Sequence, residues 1–242
     1  MYGWRARLGA IVPGTNSVME QELHEMTRQL EGVCVYITRM PTPTEPLTIE
    51  LERKFSSLDQ VEAAAKLIAQ VGVKAVTFGS TACSFVEGTS WSQGIIRKIE
   101  EVTKVPAVTP SSSVVSALKH LGVKKVGVAT PYPKDINERL RIFLKENGFN
   151  VVDFKESPHS EVIDIGKQPP YVSYRLARDI SDEAEAIFIS CTDFRTIDII
   201  DRLEKDTGKP VVSANQASMF ELMNKAKLKD PIKGYGKLLE RT

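Results

Sequence analysis

Arg7-Leu-Gly-Ala-Ile-Val-Pro13 comes back later in the chain as Lys125-Val-Gly-Val-Ala-Thr-Pro131. Ala75-Val-Thr-Phe-Gly-Ser-Thr81 returns as Ala186-Ile-Phe-Ile-Ser-Cys-Thr192, and Lys104-Val-Pro-Ala-Val-Thr109 as Gly208-Lys-Pro-Val-Val-Ser213. Three apolar runs repeated in the same order predict two similar lobes facing each other across a cleft. Such a cleft offers one small molecule two opposed reactive faces. In the repeat, Cys191 falls opposite Ser80.

Outward from these runs, short β-rich stretches alternate with amphipathic helical patterns, which predicts an α/β protein with parallel sheets. The strand candidates are Arg7–Val12, Val33–Thr38, Ala75–Gly79 and Ala107–Thr109 in the first half. In the second half they are Lys125–Thr130, Val151–Phe154, Ala186–Ser190 and Val211–Ser213. Each carries Val, Ile or Phe on both faces, as a covered parallel strand does. Helical patterns fall at Val18–Leu30, Leu58–Val71, Ile95–Thr103, Ser113–Leu121, Ile136–Asn147, Tyr171–Ile180, Thr196–Thr207 and Gln216–Ala226. The expected fold is two pseudo-symmetric lobes, each a four-stranded parallel sheet flanked by helices, with the active site between them. Residues 1–120 plus 210–242 are expected to form the first lobe and 121–209 the second, with Leu121–Lys125 as the crossover. Pro41-Thr-Pro-Thr-Glu-Pro46 breaks the pattern and reads as a restrained loop at the cleft mouth. Gly166-Lys-Gln-Pro-Pro170 holds a comparable place in the second half.

Composition narrows the function. Lys+Arg 32 against Asp+Glu 31 leaves a net charge of +1, with no basic footprint for nucleic acid. No run approaches the roughly 18 apolar residues of a membrane span, and no secretory signal pattern opens the chain, so a cytoplasmic location is expected. Cys34, Cys83 and Cys191 are too few and too scattered for a disulfide framework or a zinc site, and His24, His120 and His159 do not cluster with them; no metal is expected.

In parallel sheets, ligands bind beyond the carboxyl ends of the strands. The turns there are Pro13-Gly-Thr-Asn16, Ser80-Thr-Ala-Cys83, Pro110-Ser-Ser112, Pro131-Tyr132, Cys191-Thr192 and Ala214-Asn215. They are rich in small hydroxyl and amide side chains and in backbone N–H groups at helix starts, which suit an anion. No glycine-rich phosphate fingerprint competes, so the expected partner is a small carboxylate.

With those residues in hand, the chain resembles the aspartate/glutamate racemase superfamily, and within it the maleate isomerases and arylmalonate decarboxylases. The resemblance spans nearly the whole length. It rests on Gly3-Trp-Arg-Ala-Arg-Leu-Gly9, Val12-Pro-Gly-Thr-Asn-Ser-Val-Met-Glu20, Gly79-Ser-Thr-Ala-Cys-Ser-Phe85, Ala129-Thr-Pro-Tyr132, Ser190-Cys-Thr-Asp-Phe-Arg-Thr196 and Ser213-Ala-Asn-Gln-Ala217. It implies no cofactor, a plausible homo-oligomer, and chemistry through an enediolate at the carbon next to a carboxylate. Members typically place one cysteine in each lobe. Cys191 matches the second. Where the family pattern reads Cys-Thr-Ser-Gly-Ser-Phe, this chain reads Ser80-Thr-Ala-Cys-Ser-Phe85, so the first cysteine is absent and Cys83 stands three residues on.

That departure leaves alternatives. Arylmalonate decarboxylases also lack the first cysteine, whereas Asn16 resembles the maleate isomerase residue that holds a substrate carboxylate. The favoured expectation is decarboxylation of a 2-substituted (aryl)malonate, with Cys191 protonating the enediolate. Maleate cis–trans isomerisation or Asp/Glu-type racemisation would need Ser80 or Cys83 on the other face. A non-catalytic carboxylate-binding protein is the third reading. The candidate catalytic residues are thus Cys191, Ser80 and Cys83. The candidate substrate-binding residues are Pro13, Asn16, Thr81, Ala82, Tyr132 and Thr192, with Ala82 replacing a family serine hydroxyl. Plainer readings stand beside these: Asn16 as a helix cap, Tyr132 as a turn residue, Cys83 and Cys34 as core, and the histidines as helix-surface or loop residues.

Overall fold

Among the described residues, eight strands hydrogen-bond into two separate parallel sheets. The computed structural model describes residues 2–42, 46–157 and 161–240. The first sheet contains β1 (Ala6–Pro13), β2 (Val33–Met40), β3 (Ala75–Phe78) and β4 (Ala107–Val108) in the order β2-β1-β3-β4. The second contains β5 (Lys125–Thr130), β6 (Asn150–Glu156), β7 (Ala186–Ile189) and β8 (Val211–Ser213) in the order β6-β5-β7-β8. The two orders are the same permutation, so the internal repeat is a repeat of topology.

The repeated glycines show what the shared motif is for. A Cβ on Gly9 would lie 2.9 Å from Ile68 Cγ1, and one on Gly127 would lie 2.1 Å from Ile180 Cγ2. In both lobes the first strand is thus pressed by the covering helix segment, and any side chain there would force them apart.

The helices are α1 (Met19–Thr27), α2 (Ile49–Phe55), α3 (Leu58–Ala69), α4 (Gly88–Thr103), α5 (Pro110–His120), α6 (Lys134–Glu146), α7 (Val162–Ile165), α8 (Pro170–Arg178), α9 (Ile197–Thr207), α10 (Ala214–Lys225) and α11 (Lys237–Glu240). Thr109 starts α5 and Ser213 starts α10 with the same device: each side chain accepts the N–H of the third helical residue, and that residue's side chain accepts the N–H of the capping residue. α5 and α10 pack against each other and join the lobes.

Two boundaries differ from the sequence reading. The return to the first lobe was expected at 210, but Val211–Ser213 is the edge strand of the second sheet, paired with β7. α10 packs on α5, α1, β3 and β4, and beyond it Asp230 pairs with Arg5 and Lys233 bonds to Gln29, so the chain after Ser213 lies against the first lobe. We therefore propose that the crossing follows Ser213. α2 was not expected at all; it is two turns long, capped by Thr48, whose hydroxyl accepts the Leu51 N–H at 3.1 Å. Of the proline-rich loop, residues 43–45 lie outside the described residues, as does His159. Pro46 forms an isolated antiparallel bridge to Glu161 of the other lobe.

A large apolar cluster runs through both lobes, and a smaller one, including Phe55, Phe78, Cys83 and Ile95, covers the outer side of the first sheet. No helix among the described residues is long and apolar enough to cross a membrane.

Candidate active site

The carboxyl ends of β1, β3, β5 and β7 converge on a narrow cleft between the lobes. The first lobe brings Pro13, Thr15, Asn16, Ser80, Thr81 and Ala82 to it, and the second brings Tyr132, Cys191, Thr192 and Asp193. Leu47 and Ile165 add an apolar wall next to the Pro46–Glu161 bridge, and Glu52 reaches in from α2. Eight of the nine residues singled out in the sequence therefore share one cavity; Cys83 does not line it. No lysine or arginine lines it among the described residues, and none of them form a cluster of three or more His, Cys, Asp or Glu suited to a metal.

Cys191 leaves β7 in a left-handed conformation, φ 100°. For a residue with a Cβ this costs on the order of 1–3 kcal/mol, and it points a buried thiol at the cleft. The Asp193 N–H approaches the sulfur at 3.4 Å. Burial first, and then the Asp193 carboxylate, push the Cys191 thiol up to about 12, against the opposing effect of that N–H and of Tyr132. The group is an S–H at neutral pH, a proton donor rather than a resting nucleophile. Tyr132 is not a surface turn residue. It is buried against Phe85, ring centroids 6.0 Å apart, and burial raises its hydroxyl well above its ordinary range, so it too stays a donor.

Four buried polar atoms of this cleft have no hydrogen-bond partner among the described residues: the hydroxyl oxygens of Thr15, Thr81 and Tyr132, and Asp193 Oδ2. Buried polar groups are nearly always satisfied, so four orphans around one cavity mark the place where a polar ligand completes the structure.

Other side chains are already committed. Asn16 Oδ1 accepts the N–H groups of Val18 and Met19, which is the helix-capping role, while its Nδ2 donates to Thr192 Oγ1 at 3.1 Å. Thr192 Oγ1 donates in turn to the Gly79 carbonyl at 2.8 Å. Ser17 N–H donates to Asp193 Oδ1 at 2.8 Å. These bonds cross the lobe boundary; one N–H of the Asn16 amide has no partner among the described residues. Asp193 is pushed up to about 7, chiefly by burial, against its hydrogen bonds from Ser17 and Val18 and the charge of Arg195. Arg195 donates to the Gly166 carbonyl at 2.9 Å. A Cβ on Gly166 would come within 2.7 Å of Asp193 Oδ2, so the Gly166–Pro170 segment helps seat that carboxyl.

On the opposite wall, the turn after Ser80 is a short 3-10 helix, Ala82–Ser84. It turns Cys83 away from the cleft into the smaller core, fully buried, where its thiol donates to Glu52 Oε2 at 2.7 Å. The nearby Ser80 and Ser56 hydroxyls favour the thiolate of the same residue, against the larger effects that raise it. Burial, then the Glu52 charge, hold Cys83 well above the usual thiol range. Glu52 itself is pushed up to about 7 by burial, which outweighs its bonds to Cys83. Sequence reasoning missed Glu52, Thr15, Asp193, Leu47 and Ile165. Asp193, two residues from Cys191, carried a signal; Glu52, on an unrecognised helix, carried none.

With this geometry in view, a family model described as arylmalonate decarboxylase matches residues 49–239. The arylmalonate decarboxylase of Bordetella bronchiseptica is 27% identical over 189 residues, covering 76% of this chain and 79% of that protein. The maleate isomerase of Nocardia farcinica is 23% identical over 251 aligned positions, covering 97% of this chain and 96% of that protein. A maleate isomerase variant of Pseudomonas putida S16, crystallised with maleate, shares the fold with a TM-score of 0.91 at 22% identity, covering 98% of each chain.

Proposed function

Because the chain belongs to the arylmalonate decarboxylase family, we propose that it is a cofactor-independent decarboxylase of 2-substituted malonates, with Cys191 as the proton donor. One carboxylate of the substrate is held by the unpartnered hydroxyls of Thr81, Tyr132 and Thr15. The other lies toward Leu47 and Ile165, where loss of charge as CO2 is favoured by the poor solvation. The C–C bond breaks, its electron pair enters the retained carboxylate as an enediolate, and the hydroxyl donors stabilise the growing charge. The Cys191 thiol then gives its proton to the carbon, and the thiolate recovers one from solvent.

The observation that carries this reading is the asymmetry of the cleft. One wall holds a buried thiol that stays protonated at neutral pH, and the equivalent place on the other holds Ser80. A single acid suffices to protonate an enediolate. A covalent isomerisation of maleate needs a thiolate on the second wall, and Cys83 is turned away into the core.

The test is NMR in D2O with phenylmalonate and with maleate, for the wild type and Cys191→Ala. The expected result is CO2 release with one deuterium in the phenylacetate, slowed at least ~100-fold in the variant. Conversion of maleate to fumarate without CO2 release from phenylmalonate would overturn decarboxylation in favour of isomerisation.

A further inference from the structure

The wall opposite Cys191 is not chemically empty. Glu52 lines the cleft beside Ser80 and is 7% exposed, and among the described residues its carboxyl is held by Cys83 alone, through the thiol at 2.7 Å and the backbone N–H. No lysine or arginine pairs with it among the described residues. Its charge reaches across the cavity, since it raises both the Tyr132 hydroxyl and the Cys191 thiol. A buried carboxyl without a cation is costly, and an apolar residue would pack in its place, so its retention in a ligand cavity points to chemistry. It also borders a second, smaller cavity that shares Pro13 and Ser80 with the cleft and continues to Thr42 and Phe55.

We propose that Glu52 is a catalytic base for the face opposite Cys191, and that the enzyme also exchanges and inverts the α-hydrogen of 2-substituted monocarboxylates. This rests on the reading of Cys191 as proton donor above. The Glu52 carboxylate takes the α-hydrogen as a proton, and the C–H electron pair passes into the enediolate. The Cys191 thiol delivers its proton to the other face, forming the new C–H bond and leaving a thiolate. The opposite enantiomer reacts by the same steps in reverse, with the Cys191 thiolate as base and the protonated Glu52 as acid; proton exchange of both groups with solvent completes the cycle, so no oxidant or co-reactant is needed. Burial holds Glu52 at about 7, so both its forms are present near neutrality. The groups facing it, Cys83, Cys191 and Tyr132, are all held protonated there, and Asp193 shares the cleft.

The experiment incubates each enantiomer of 2-phenylpropionate in D2O with wild type, Glu52→Gln and Glu52→Asp, following deuterium by NMR and configuration by chiral chromatography. CO2 release from phenylmalonate by the wild type is recorded in parallel. Either enantiomer should become the deuterated racemate, with a rate that rises toward pH 7 as Glu52 ionises and falls above it as Asp193 does. Glu52→Gln should lose at least ~100-fold of that rate and its pH step, and Glu52→Asp should keep a measurable part. Exchange at the wild-type rate in Glu52→Gln would overturn the proposal. So would a wild type that releases CO2 yet exchanges neither enantiomer, leaving the decarboxylase reading intact. Glu52-dependent exchange without CO2 release would uphold the base and sink the decarboxylase reading. No turnover of either kind by folded protein would overturn both.

Discussion

Replacing Glu52 by glutamine should stabilise the protein, and more at high pH than at low. The carboxyl has an ordinary value of 4.5 and is pushed up to about 7 in the fold by burial. Its proton therefore leaves more easily in the unfolded chain. Below 4.5 both states are protonated and folding carries no penalty. As pH rises from 4.5 to 7 the unfolded chain ionises first, and stability is lost through that window. Above 7 the loss is complete, at about 3 kcal/mol for a shift of this size, against about 1 kcal/mol near pH 5. Glutamine can still accept from the Cys83 thiol but never ionises. Whatever it gains or loses through its own amide is the same at every pH, so the difference between two pH values isolates the carboxylate. Urea denaturation near pH 5 and near pH 8 should show the variant's stability, relative to wild type, to be about 2–3 kcal/mol better at the higher pH. A relative stability that is the same at both pH values within about 0.5 kcal/mol would refute the claim that burial outweighs the Cys83 hydrogen bonds at this carboxylate.

Two further outcomes follow from the same cleft. Tyr132→Phe removes a buried hydroxyl that has no partner among the described residues while keeping the ring against Phe85. Thermal stability should hold or rise slightly, while kcat for phenylmalonate falls about 100-fold, the usual loss for one donor to a developing oxyanion; a fall in stability with unchanged kcat would place that hydroxyl outside the reaction. Asp193, pushed up to about 7, is largely neutral below that pH and a carboxylate above it, where it repels the substrate and makes the Cys191 thiol a weaker acid. The kcat/KM for phenylmalonate should therefore fall about 10-fold per pH unit above 7, and Asp193→Asn should flatten the part of the profile due to this group. An unchanged slope in the variant would assign the pH dependence to Glu52.

The sequence made the strands legible because parallel strands covered on both faces leave unbroken Val, Ile and Ala runs, and because the repeat marked them twice. Cys191 could be placed in a cleft from its position at a strand end alone. Cys83 could not be placed, since only the tight pitch of the Ala82–Ser84 turn sends its side chain into the core instead of the cavity. Asn16 offered two readings, cap or cleft residue, and the structure puts it in both places: one amide oxygen caps α1 while the amide nitrogen spans to Thr192. Glu52 was invisible for a physical reason. A glutamate on a seven-residue helix next to a proline-rich stretch looks like any solvated charge, and its burial depends on α2 lying over the turn after Ser80, a contact between segments thirty residues apart in the chain.

The distribution of cost within the molecule argues for where the chemistry lies. Much of the chain obeys local rules: most strands are covered, α2, α5 and α10 start on side-chain caps, and Gly9 and Gly127 stand where a helix segment presses a strand. Such exceptions occur singly elsewhere, as at Lys104, Lys227 and Glu22, but one cavity combines several kinds: a thiol in a left-handed conformation, two carboxyls pushed up to about 7, and four unpartnered buried polar atoms. Each costs of order 1 kcal/mol or more, and substitution by a small apolar residue would relieve it. A fold that is symmetric in topology but places its strained thiol on one wall and its unpaired carboxyl on the other concentrates those costs where a planar intermediate would present its two faces. Local rules broken together, without structural compensation, are the mark of a reacting site. The pairing of unlike groups across the cleft is then the feature from which stereochemistry should follow, with the thiol delivering protons to one face and the carboxylate removing them from the other.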